Sequence, residues 1–105
     1  PVCYGFLKNV TNKKEGDEVD LLIFSHNDYK TGDEVEVEIL GMIEREDEDH
    51  KVVGKDMSYD VYNIEDLDRK EWKLILEYFG FKHNIISVKN KEKTIEYIVN
   101  CSMYS

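Results

Sequence analysis

Carboxylates crowd the segment Glu15-Gly16-Asp17-Glu18-Val19-Asp20, the last of them standing at the mouth of an apolar run. On an extended segment Glu18 and Asp20 share a face, and a turn at Gly16 can curl Glu15 and Asp17 toward the same space. Several oxygens can then converge on one hard cation. Magnesium asks for such ligands, yet it keeps waters and takes substrate phosphate, so a few carboxylates suffice. The same spacing also fits a charged hairpin turn.

A second acidic stretch, Glu46-Asp47-Glu48-Asp49, runs into His50, Lys51 and the apolar pair Val52-Val53. Adjacent carboxylates repel by roughly a kcal/mol per close pair even in water, so a bound cation relieves them. A solvated acidic turn is the plainer alternative. Lys51, directly before a strand, can reach across a sheet end toward a phosphate. Tyr4 beside Gly5 can offer its hydroxyl to an anion or simply pack half-buried. Lys82 can bind phosphate or sit on a helix C-terminus. His26, His50 and His83 are not at zinc spacing and read as surface or loop residues, and Cys3 and Cys101 suggest neither a disulfide framework nor a zinc site.

The elements that must position these groups change character midway. Before Gly54 the apolar residues come in short runs or alternate, as strands do. Val19 to Phe24 reads as a buried strand, and Glu34 to Ile39 alternates so that Val35, Val37 and Ile39 point inward. Turn residues fill Asn9 to Gly16, His26 to Gly32 and Glu44 to Asp49. Later, Leu67, Leu74, Ile75, Tyr78 and Phe79 recur at helical spacing, with Asn63 or Asp66 as N-cap and Gly80 as stop. Ile85, Ser87 and Val88 suggest a last short strand. Ile95, Ile98, Val99 and Ser102 share a helical face, capped by Asn90. The expected class is α+β, one domain over residues 1–105 with helices packed on strands.

At 105 residues there is room for one core. A net charge of -9 argues against a nucleic-acid face, which needs clustered Lys and Arg. No run nears the roughly 20 apolar residues that span a bilayer, so the reading is a soluble cytoplasmic protein without membrane partner.

Taken in order, Pro1-Val2-Cys3-Tyr4-Gly5-Phe6, then Glu15 to Asp20, then Asp47 to Lys51, and finally Asp66-Leu67 and Tyr78-Phe79-Gly80-Phe81-Lys82 resemble the soluble (family I) inorganic pyrophosphatases, as a shortened relative. The resemblance implies a small closed β-barrel akin to the oligonucleotide-binding barrel, with two helices outside. It implies magnesium-dependent hydrolysis of pyrophosphate to two phosphates, and assembly into a homo-oligomer. Asp20 would bridge a pair of magnesium ions and Asp17 would ligate them or accept the proton of the attacking water. Glu15, Asp47 and Asp49 would complete the metal sites, and Tyr4, Lys51 and Lys82 would hold phosphate. The pattern departs at Glu15 for Asp, Glu18 for Pro and Phe81 for Tyr, and the family's upstream strands have no counterpart. A degenerate module that binds metal or phosphate without turnover is therefore the competing reading.

Overall fold

Aliphatic runs bounded by polar turns become strands when both faces can be covered, and two amphipathic helices cover them here. The computed structural model describes residues 2–11, 18–46, 50–79 and 85–102. In chain order it contains β1 (Val2–Thr11), β2 (Glu18–Phe24), β3 (Glu38–Arg45), β4 (Lys51–Lys55), a 3-10 turn (Ile64–Asp66), α1 (Arg69–Phe79), β5 (Ile85–Lys89) and α2 (Lys91–Ser102). The strands form one sheet in the order β1-β2-β4-β3-β5. β2 and β4 run parallel, and the remaining neighbours are antiparallel. The mixed sheet with two packed helices is the expected α+β architecture. Among the described residues no ladder joins β1 to β5. No helix among them is long and apolar enough to cross a membrane.

The continuous run Leu21–Phe24 is apolar because alternate residues serve opposite cores. Leu22 and Phe24 join Leu40, Ile43, Val53, Ile64, Leu67 and Ile75 under α1, with Trp72 and Leu74 packed alongside. Leu21 and Ile23 join Val19, Met42, Val52 and Cys101 under α2, with Tyr97 and Ile98. Both cysteines are free thiols, Cys101 buried and Cys3 half-buried.

Several boundaries differ from the sequence reading. β1 continues through Asn9 to Thr11, where a turn was expected. The segment from Glu34 alternates in exposure as expected, but its ladder starts only at Glu38. α1 begins at Arg69, so neither Asn63 nor Asp66 caps it. Asp68 does: its carboxylate accepts from the Glu71 amide at 2.8 Å, and Glu71 accepts from the Asp68 amide at 2.8 Å. This reciprocal box was written as Asp-x-x-Glu. Asn90 caps α2 as expected, accepting from the Lys93 amide at 3.0 Å. The buried face of α2 is turned from the one expected: Thr94 and Cys101 are inside, while Ile95 and Val99 are exposed. Tyr78 also faces outward.

Gly41 sits at an irregularity of β3 where the chain passes under β5 and the 3-10 turn. A Cβ there would lie 2.6 Å from the Lys89 carbonyl oxygen and 2.7 Å from Ile64 Cγ2. Gly41→Ala should therefore cost about 1–3 kcal/mol by overpacking. Urea unfolding measures it, and an unchanged midpoint would contradict the close approach.

Candidate functional site

The parallel pairing of β2 with β4 places Leu21 beside Val52 and Leu22 beside Val53. One step earlier on each strand stand Asp20 and Lys51, on the face that carries Leu22 and Val53. Lys51 Nζ donates to Asp20 Oδ2 in a short ion pair. The Lys51 side chain is buried and that of Asp20 is 24% exposed, so this carboxylate opens to solvent while its partner does not. On the opposite flank Phe6 of β1 pairs with Asp20 and Tyr4 pairs with Leu22. Tyr4, Phe6, Asp20 and Lys51 therefore share one face. The half-exposed Tyr4 ring stacks on Tyr78 of α1, with centroids 6.4 Å apart and planes 16° apart.

This corner is also where the acidic segments attach. Thr11 pairs with Glu18 across the gap that residues 12–17 bridge. Ile43 pairs with Lys51 near the gap bridged by 47–49. Beside that gap the Arg45 amide donates to His50 Nδ1 at 3.0 Å, and the His50 ring meets Tyr97 edge-on at 5.5 Å. His50 is thus a half-buried clamp for the β3–β4 connection, where the sequence suggested only a loop residue. Of the expected site residues, Tyr4, Asp20 and Lys51 are brought together. Glu15, Asp17, Asp47, Asp49 and Lys82 lie outside the described residues, as do Phe81 and His83. Among the described residues no three metal-ligating side chains cluster.

Sequence reasoning passed over a second polar centre at the other end of β2 and β4. Asp56 is buried, and Ser25, Tyr29 and Asn27 donate to its Oδ2 at 2.5, 2.5 and 3.2 Å. Its Oδ1 accepts from the Ser58 amide at 2.9 Å and the Ser58 hydroxyl at 2.6 Å. Burial alone would push the carboxyl up, but the donors from Ser25, Ser58 and Tyr29 together outweigh it and hold Asp56 well below the usual carboxylate range. Nearby, Tyr59 donates to Glu71, and burial together with that carboxylate pushes the phenol up. The chain from β4 is thereby tied to the start of α1. No local motif announces Asp56, because Ser25 and Asp56 are 31 residues apart.

The fold has close counterparts. An inorganic pyrophosphatase from Neisseria gonorrhoeae superposes with a TM-score of 0.80 at 20% identity, over 96% of this chain and 67% of that one. The type I inorganic pyrophosphatase of P falciparum gives 0.84 at 21%, over 98% and 44%. A truncated Trypanosoma cruzi vacuolar soluble pyrophosphatase, solved with PPi, gives 0.81 at 17%, over 96% and 50%. This chain thus spans 44% to 67% of the length of these three. Among curated protein sequences none matches. The family model for inorganic pyrophosphatase matches residues 1–102, nearly the whole chain, and the chain therefore belongs to the inorganic pyrophosphatase family.

Proposed function

We propose that this chain hydrolyses inorganic pyrophosphate with magnesium at the sheet corner that holds Asp20 and Lys51. The observation that carries the reading is the pairing of these two residues, one anionic and half-open, one cationic and buried, within a pyrophosphatase fold. Pyrophosphate hydrolysis needs both signs of charge together: carboxylates for the metal and a fixed cation for the phosphate.

The donor chemistry fits a hard divalent ion. Asp20 already holds a cation, the Lys51 ammonium, on its carboxylate. The segments attached to this corner contribute Glu15, Asp17, Asp47 and Asp49, which we assign as further ligands. When bound, magnesium supplies Lewis-acid activation of water and neutralises phosphate oxygens. In this reading Asp17 accepts the proton of the attacking water. Lys51 and Lys82 hold phosphate oxygens by charge, and the Tyr4 hydroxyl donates to one of them. The Tyr4–Tyr78 stack fixes that ring, so the hydroxyl is held in place before substrate arrives. A cytoplasmic location and assembly with further copies of the chain complete the reading.

The direct check is phosphate release from pyrophosphate, followed with magnesium present and again after chelation. Release that needs the metal is the expected result. No release under either condition overturns the hydrolytic reading, and calorimetric binding of pyrophosphate without release would establish a binding module in its place.

A further inference from the structure

We propose that the groove between β1 and residues 28–37 seats an extended strand of a partner polypeptide, alternating apolar residues with Lys or Arg, which adds to the sheet along the outer edge of β1.

The groove holds about 1040 Å³, walled by Val2 to Lys8 on one side and Asp28 to Val37 on the other, over a floor of Leu21 and Ile23. That floor is the sheet face opposite the one that carries Leu22, Asp20 and Lys51, so the groove is separate from the corner discussed above. The stretch from Val2 to Lys8 makes a wall of about 23 Å at roughly 3.3 Å per residue, the length of a strand rather than of a small metabolite. β1 is the outermost strand of the sheet, and among the described residues no ladder runs along its outer edge. Such an edge is a template for the backbone of another chain. Gly5 lies in the middle of this wall. It does not have a positive φ, and a Cβ built on it would meet nothing within 4 Å, so neither backbone conformation nor the chain's own packing asks for glycine there. A glycine inside a strand weakens it, and one recurring reason for it is the close approach of a second backbone.

The side chains specify the occupant. Cys3 and Leu7 on β1, with Val35 and Val37 across the groove, are half-buried, an apolar lining that stays partly open. At the rim stand Asp28, Asp33, Glu34 and Glu36, all exposed, against Lys8 and Lys30, and Lys8 is already paired with Glu34 at 2.7 Å. Carboxylates outnumber ammonium groups there, in a chain of net charge -9. A basic strand therefore fits, its apolar side chains filling the lining and its cations meeting the rim. A second copy of this chain would bring the same acidic rim and is disfavoured.

Calorimetric titration with a peptide as long as Val2–Lys8 that alternates valine with lysine tests this, beside the same peptide with glutamate for lysine and one N-methylated on adjacent central amides. The lysine peptide should bind, and the other peptides at least about tenfold more weakly, because one lacks the charge and the other the main-chain donors. Gly5→Val should weaken the lysine peptide at least about tenfold while its urea midpoint stays at or above that of the parent, since valine favours strands and the new side chain fills only the open groove. Undetectable binding of the lysine peptide, equal binding of the glutamate peptide, or unchanged affinity in folded Gly5→Val overturns the proposal. A parent that dimerises through this edge, with a dimer that Gly5→Val breaks, overturns it too, the occupant then being a second copy. Should Gly5→Val fail to fold, amide exchange of the parent decides: the lysine peptide should slow exchange along β1 and leave β5, at the other end of the sheet, unchanged, and unaltered exchange in β1 overturns the strand addition.

Discussion

Asp20→Asn is expected to lower pyrophosphate hydrolysis at saturating magnesium by at least about 100-fold, equivalent to roughly 2.7 kcal/mol of transition-state stabilisation. Asn keeps the size and one carbonyl oxygen but removes the charge that draws a divalent cation to this corner. The substitution also removes the charge that Asp20 presents to the buried Lys51 ammonium, so a loss of stability accompanies the loss of rate. Rates must therefore be compared at a temperature where thermal melts show both proteins folded. Parent-like phosphate release from folded Asp20→Asn would remove Asp20 from the machinery, and with it the argument for this corner as the site.

Asp56→Asn should produce the largest change in stability, about 2–4 kcal/mol at neutral pH. The Asp56 carboxylate takes five donors from Ser25, Asn27, Tyr29 and Ser58. An amide presents its own N–H groups to some of them, and buried donors then lose their acceptor. The pH dependence carries a definite sign. Asp56 has its folded-state pKa depressed below the ordinary value of 3.8, so its contribution is fully present above that value and is lost as pH falls through it toward the folded one. Urea midpoints measured from pH 7 down to pH 2.5 should show a wide gap between parent and variant at pH 7 that narrows below about pH 4. A gap that stays constant across that range would mean the carboxylate charge is not what the donors stabilise.

Much of this architecture was legible because it is local. Leu21–Phe24 announced a strand with two buried faces, Asn90 announced a cap, and the amphipathic stretch around Ile75 announced α1. The errors share a cause in tertiary packing. On α2, Ile98 packs on the core as expected, but Thr94 and Cys101 are inside while Ile95 and Val99 face out, because the helix packs Cys101, Tyr97 and Ile98 against Met42 and Val52. The Asp68 box was readable, but Asn63 and Asp66 were equally good capping residues, and only the 3-10 turn over Ile64–Asp66 separates them. At the site, Asp20 and Lys51 were both singled out in the sequence, yet nothing in it said that they touch. That contact follows from a parallel pairing which local periodicity does not encode. The Asp56 cluster was illegible for the same reason, its donors coming from two segments that meet only in the folded sheet.

The parallel β2–β4 register has a further consequence for how the molecule must assemble. Asp20 and Lys51 are 31 residues apart, whereas β3 and β4 meet across a short connection. Closing the longer loop costs roughly 1–2 kcal/mol more chain entropy than closing a tight hairpin. A β3–β4 hairpin formed alone would leave Lys51 without Asp20. The corner that bears the chemistry thus comes into being only when β2 inserts between β1 and β4, so a chain with an intact hairpin and an unzipped β2 has no site at all.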